Sequence, residues 1–197
     1  MYKTLFLCLA LLVGSVHAKA QNYSLAEGSS CTISGTSNIS DWTAKVNEMD
    51  LQVVIADNFF SRKGVKVDGR VTSAALTIPV KSIDGGKGET MNDNIFEAFD
   101  ESSNPQIIFQ LQNGRILSGN AQSFTLEISG ILSMAGQQQE VSLTLTGAMG
   151  ENQSLRFKGQ QSLQMTTFGM EPPTAMFGAI EAGDEVVIDF NLNLKKD

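Results

Sequence analysis

The sequence predicts an all-β fold of about eight antiparallel strands, with one short α-helix between strands. Two observations carry this prediction. Several segments alternate apolar and polar residues with a period of two, which is the pattern of half-buried strands. One other segment has the period of a helix instead. The alternation leaves one polar face, which is typical of antiparallel sheets, and so many consecutive strands indicate a closed barrel or a sandwich.

The clearest strands lie in the second half of the chain. Their sequences are SFTLEISGIL (123–132), EVSLTLTG (140–147) and DEVVIDFNLNL (184–194). In the last of them Val186, Ile188 and Phe190 share one face, opposite Asp189 and Asn191. Alternation of this kind predicts that the apolar set points into the core and the polar set into water.

Weaker strands are predicted at 30–37, 42–57, 65–80, 104–113 and 154–167. The dipeptides Asn113-Gly114, Ala135-Gly136 and Met149-Gly150 are interpreted as turns between strands. A strand as long as 42–57 favours the barrel over the sandwich, because tilted barrel strands can run the full height of the wall.

One segment, ETMNDNIFEAFDESSNP (89–105), breaks the strand period. Met91, Ile95, Phe96 and Phe99 fall on one helical face. Thr90 and Asp93 offer the Ser/Thr-x-x-Asp/Glu spacing of a helix start, and the residues up to Pro105 stop the helix. We expect this helix to plug one end of the barrel, in preference to docking a partner.

The first 20 residues, MYKTLFLCLALLVGSVHAKA, have the pattern of a secretory signal peptide. A lysine precedes an apolar run, and an Ala-x-Ala site follows it. Cleavage after Ala20 would leave residues 21–197 as one domain, and no later segment is apolar enough for a membrane span. The predicted location is therefore outside the cytoplasm.

Charge and residue inventory exclude several functions. The formal net charge of −7 argues against nucleic acid and anionic membranes as partners. His17, the only histidine, and Cys8 both fall in the predicted signal peptide, which leaves Cys31 as one buried thiol. Catalysis by Ser-His-Asp or Cys-His, zinc held by histidine, and an internal disulfide are thereby excluded. We expect no enzyme, no metal site and no cofactor.

The remaining candidates are apolar, and many lie in MTTFGMEPPTAMFGAI (165–180), a loop whose prolines exclude helix and central strand. The candidate lining or mouth residues are Trp42, Phe96, Phe99, Phe109, Phe124, Met165, Phe168, Met170, Met176 and Phe177. Eight strands can enclose one slim apolar ligand, or their side chains can fill the interior. The second case would give a structural barrel that docks a protein partner through 165–180. The residues leave both cases open.

Four blocks then resemble the YceI family of bacterial secreted proteins. They are TISGTSNISDWTAKV (32–46), MNDNIFEAFDESSNPQIIFQL (91–111), FTLEISGILSMAGQQQEVSLTLTG (124–147) and FGMEPPTAMFGAI (168–180). The resemblance implies a lipocalin-like barrel that carries a polyisoprenoid or prenylquinone tail without catalysis. It also implies a periplasmic or secreted protein, and a homodimer as one assembly to expect.

Overall fold

The computed structural model describes residues 20–62 and 64–197. The predicted signal peptide lies, apart from Ala20, outside these residues, so its cleavage stays a prediction. Within the described ranges no helix combines the length and the apolar character that crossing a bilayer requires. The predicted all-β class with one α-helix is confirmed.

The described residues form fourteen strands and one α-helix. In chain order they are β1 (Ala20–Leu25), β2 (Ser30–Ser37), β3 (Trp42–Val46), β4 (Asp50–Ala56), β5 (Phe60–Ser61), β6 (Gly64–Val65), β7 (Val71–Pro79), β8 (Ile83–Asp84), α1 (Glu89–Ala98), β9 (Gln106–Gly119), β10 (Phe124–Met134), β11 (Gln137–Met149), β12 (Leu155–Gln164), β13 (Thr174–Ala175) and β14 (Ile180–Lys196).

The wall is an antiparallel meander of eight long strands, three of which are broken once. β1 and β2 together form the first, because both lie against β14, and β3 with β4 form the second. β7 and β8 form the third, since they pair β4 and β3 respectively. β9, β10, β11, β12 and β14 complete the wall, and pairing of β14 with β1 closes it. The predicted closed barrel is therefore confirmed.

One predicted turn is wrong. Asn113 and Gly114 lie inside β9, at a place where the ladder to β10 skips a residue. Such a bulge bends a strand without ending it, and Asn-Gly suits either feature. The actual turn follows at 120–123, where Asn120 Oδ1 accepts hydrogen bonds from the backbone N–H groups of Gln122 and Ser123, at 2.9 and 3.2 Å.

The helix forms where it was predicted, but it starts differently. Its N-cap is Gly88, with φ of 90°, and no side chain caps it. Thr90 lies inside the first turn, so the predicted capping by Thr90 and Asp93 is wrong. A glycine can place its backbone at positive φ, and the Gly88 carbonyl accepts hydrogen bonds from Met91 and Asn92, at 3.2 and 3.4 Å. The apolar face of the helix packs over one end of the barrel.

The segment 165–180 joins β12 to β14 in two parts. Its first part is a 3-10 turn, Met165–Phe168, in which Met165 and Phe168 are buried. Asp184 holds this turn by accepting hydrogen bonds from the backbone N–H and the hydroxyl of Thr166, at 2.8 and 2.7 Å. Asp184 itself lies within β14, at a bulge in its pairing with β2.

The end of the barrel away from the helix is tightly packed. Phe124 contacts Phe59 and Phe157 edge to face, with ring centroids 5.8 and 5.9 Å apart. Tyr23 and Ile116, both 0% exposed, belong to the same cluster. Edge-to-face rings at this spacing add specific stabilisation to the burial of their area.

We expect Phe124→Ala to lower the free energy of unfolding by about 3–5 kcal/mol, because it removes a buried ring from a packed cluster. Urea unfolding monitored by circular dichroism measures this change. Leu117→Ala is the matched control, since Leu117 lies on the neighbouring strand β9 but is 37% exposed. The control should change stability by less than about 1 kcal/mol. Equal losses for the two variants would contradict the packed end.

Candidate ligand-binding site

The barrel encloses a cavity of about 450 Å³. Its interior is therefore open, and side chains do not fill it along the whole axis. Inward-facing aliphatic side chains from the strands form most of the lining. The polar or charged residues along it are few: Ser37, Ser40, Lys87, Asn94, Gln161 and Thr174. Except for Gln161, these lie at or near one end of the barrel, in the 37–41 turn, beside or on α1, and on β13.

Glycines in the wall make room for the large rings that line the cavity. Gly35 lies directly opposite Trp42, and Gly159 directly opposite Phe190. A Cβ on Gly159 would come within 2.6 Å of Phe190 Cζ, which is too close for two non-bonded carbon atoms. The ring therefore occupies the space over the glycine. In each such pair the absence of a Cβ on the glycine lets the ring pack directly against the wall.

The two ends of the cavity differ. At one end lies the packed cluster around Phe124. At the other end the lining residues Ile39, Ser40 and Lys87 are themselves exposed. We call this end the mouth. It is bordered by the 37–41 turn, α1, and the hairpin of β13 and β14, so a ligand can enter the cavity there.

The wall has a gap in its hydrogen bonding between β11 and β12. The two strands pair over Thr146–Met149 and Leu155–Lys158. Residues 137–145 and 159–164 form no ladder pairs with each other, although side chains from both stretches line the cavity. Leu143 and Leu163 are accordingly only half-buried. The 3-10 turn Met165–Phe168 bridges this gap at the end that lies away from the paired residues. There Gln139 Nε2 donates a hydrogen bond to the Thr167 carbonyl at 3.0 Å.

The electrostatics of the cavity suit an uncharged ligand. Lys87, at the mouth, is the only charged residue among the described ones that line it. Cys31 also lines it and is 7% exposed. Burial first, and the Asp189 carboxylate second, raise the pKa of the Cys31 thiol to about 11, so the thiol is neutral at physiological pH. Within 20–62 and 64–197 no group of three His, Cys, Asp or Glu side chains could hold a metal ion.

The ten predicted site residues divide into two groups. Five of them line the cavity: Trp42, Phe99, Phe109, Met165 and Met170. The other five do not line it: Phe96, Phe124, Phe168, Met176 and Phe177. Their contact with a ligand stays a prediction for all ten.

The five residues off the cavity have different surroundings. Phe124 belongs to the packed end, and Phe168, 1% exposed, is buried in the same cluster as Met165 and Met170. Phe96 is half-buried on α1. Met176 and Phe177 point into solvent beside the mouth, where they are 72% and fully exposed.

The sequence-based prediction named only aromatic residues and methionines, and it therefore missed most of the residues that line the cavity. Most of the missed residues are aliphatic, such as Ile33, Leu76, Leu132, Leu143 and Ile188. The signal that finds them is strand parity, because inward positions recur at every second residue. An apolar cavity needs no special side chain, only an inward one that leaves space.

The comparisons with known proteins agree on this fold. The solved structure of Burkholderia cenocepacia BcnA aligns with a TM-score of 0.63 at 22% identity, covering 84% of this chain and 95% of that one. A polyisoprenoid binding domain from Saccharophagus degradans aligns with a TM-score of 0.62 at 14% identity, covering 89% and 98%. A Campylobacter jejuni YceI protein gives 0.52 at 14% identity, covering 77% and 85%.

No protein with a curated description matches the chain. The family comparison is decisive, because the YceI-like domain matches residues 21–194. That range holds every barrel strand except the first residue of β1 and the last two of β14. The closed barrel, its open apolar interior and this match lead to one conclusion: the chain belongs to the YceI family.

Proposed function

We propose that this protein binds and carries an isoprenoid-type lipid, with the polyisoprenoid or prenylquinone tail inside the barrel and without catalysis. The observation that carries the proposal is the cavity, whose wall is apolar except near the mouth and at Gln161. Its volume of about 450 Å³ falls in the range of small-molecule sites. The Saccharophagus degradans domain with the same fold is described as polyisoprenoid binding, which supports this ligand class.

The energetics of the cavity favour a hydrocarbon tail. Each buried CH₂ group contributes about 0.8 kcal/mol, so a branched chain of a few isoprene units gains affinity without any charged contact. Met165 and Met170 line the end near the mouth, and their unbranched side chains can adapt to an irregular ligand. The tail would lie toward the packed end.

The head group of the lipid would stay at the mouth. Most of the polar lining residues lie there, among them Ser40, Lys87 and Asn94. A polar head directed toward the packed end would lose its hydration with no partner among Leu126, Leu145 and Phe157. Tail-first binding is therefore the orientation that this proposal includes.

The alternative is a barrel that serves only as a docking module for a protein partner. That alternative requires an interior filled by side chains, so the open interior argues against it.

Location is part of the proposal as well. The predicted signal peptide supports export, so we propose that the protein carries its ligand in the periplasm or outside the cell. The homodimer that the resemblance implies stays a prediction.

The carrier function predicts a bound lipid in the protein as cells export it. When the full 197-residue chain is expressed and the exported protein is purified without detergent, native mass spectrometry should show an added mass of a prenyl lipid. After extraction of that lipid, the protein should take up an added prenylquinone. Absence of both the adduct and the uptake would refute the carrier function.

A bulky substitution inside the lumen should reduce binding. Leu143→Trp places a larger side chain from β11 into the cavity and should weaken prenylquinone binding about tenfold or more, because the ring occupies ligand space. Thr144→Trp is the matched control, since Thr144 is the next residue and is exposed on the outer face. Isothermal titration calorimetry with a prenylquinone would measure the affinity of each variant. Equal binding by both variants would place the ligand elsewhere.

Cys31 can serve as a reporter of occupancy. With its pKa raised to about 11, the thiol has about 100-fold less thiolate at pH 8 than a thiol with the ordinary pKa of 9.0. Alkylation by iodoacetamide, followed by peptide mass spectrometry, should therefore be slow and rise about tenfold per pH unit up to about pH 11. Bound lipid should slow it further. Rapid alkylation at pH 8 in folded protein would contradict the buried position.

A further inference from the structure

Two large apolar side chains stand at an exposed turn beside the mouth. Ala175 pairs with Ile180 to make a short hairpin, and the turn between them contains Met176 and Phe177, which we call the hairpin tip. Their φ angles are 51° and 57°, in the left-handed region. Bulky L-residues rarely adopt this region, and these two, at 72% and full exposure, gain little from burial to offset the backbone strain. Such strain is typical of functional positions.

The hairpin tip belongs to the rim of the cavity. Asn38 ties the 37–41 turn to the hairpin, because its Nδ2 donates a hydrogen bond to the Ala179 carbonyl at 3.1 Å and its Oδ1 accepts one from the Glu181 N–H at 3.2 Å. Ile39, the next residue, is 66% exposed. Three exposed apolar side chains therefore border one opening. The hairpin stem lines the cavity through Ala175 and Ile180, whereas the tip extends past it.

The charges around the tip indicate which surface it can approach. No lysine or arginine occurs between Lys158 and Lys195, so this whole segment offers no cation. Glu171 and Glu181, on either side of the tip, are exposed. Among the described residues, Lys87 is the one cation that the lining brings to the mouth, and these two exposed carboxylates oppose it, so the apolar side chains supply most of the available affinity.

We propose that Met176, Phe177 and Ile39 insert into the surface of an electrically neutral lipid bilayer and bring the mouth of the cavity against it. The choice of a bilayer rests on the proposed function, because an isoprenoid tail dissolved in a membrane would otherwise cross water to reach the cavity. A stable protein partner needs about 800 Å² of contact on each side. Three side chains on two turns flanked by acids suit shallow insertion among lipids better.

The test variant is Met176→Asn with Phe177→Asn. Asparagine enters the left-handed region more readily than other side chains, so we expect a thermal unfolding midpoint at or above that of the wild type. Neither position lines the cavity, and the change adds no charge. Phe177→Gly is a second variant that relieves the same backbone angle, should the double variant fold poorly. Val67→Asn with Leu117→Asn is the matched control: both residues are exposed and lie near the packed end.

The measurement is co-flotation of the exported protein with phosphatidylcholine vesicles that contain no isoprenoid. Wild type and the control variant should float with the vesicles, while the tip variant should bind about tenfold less. Added phosphatidylglycerol should not strengthen binding. Wild type that fails to bind pure lipid, or a tip variant that binds as well as wild type, would overturn the proposal. The same flotation is repeated with natural membranes before and after protease treatment. Binding that is lost after this treatment would also overturn the proposal, because it would indicate a protein partner.

Failure of this inference is distinguishable from failure of the proposed function. Prenylquinone uptake from detergent solution is measured on the wild type and on the control variant, and both should bind equally. Normal uptake with no vesicle binding would reject membrane insertion and leave the carrier function intact. Vesicle binding that depends on the tip, with no uptake by either protein, would reject the carrier function alone.

Discussion

The hydrogen-bond ladder of β14 is the interaction on which the rest of the structure depends. This 17-residue strand pairs β12 along one edge, and its other edge pairs β2 and then β1. Because the last strand thereby meets the first, the sheet has no free edges at this junction and the inward side chains are shut off from water. Without this closure the alternating strands would present an apolar face to solvent, and neither the packed end nor the cavity would exist.

The interior of the barrel is tightly packed at one end and open toward the other, because different side chains face inward along its axis. Around Phe124 the rings of Phe59 and Phe157 meet across the axis and fill it. Nearer the mouth, Trp42 and Phe190 lie over Gly35 and Gly159. A wall glycine does not decide the packing by itself, because Phe124 also lies directly over one, Gly147. The packed end differs in that two further rings contact Phe124. Stability is concentrated at one end and binding space at the other.

Much of the fold could be predicted from the sequence, because strand alternation and helical spacing are local properties. The strands around Leu126, Leu143 and Ile188 and the helix before Phe99 were found in this way. The misreadings have local causes too. Asn113-Gly114 suits a bulge as well as a turn, and Thr90 has the spacing of a cap although Gly88 provides the helix start. In each case the local residues permit two conformations, and the contacts made in the folded barrel determine which of them forms.

The apolar character of the candidate site could be predicted from the sequence, but only some of the residues that form it could. The sequence by itself determined the inward and outward faces of the strands, because a period of two assigns every side chain to one side of a sheet. Only the tertiary structure decided whether the inward side chains meet, since that depends on the barrel radius and on which side chains from distant segments contact each ring, as Phe59 and Phe157 contact Phe124. It also separated the 165–180 segment into the buried Met165, Phe168 and Met170 and the exposed Met176 and Phe177. A loop has no period, so the direction of its side chains follows from the contacts that hold its ends, here those of Asp184 and Asn38.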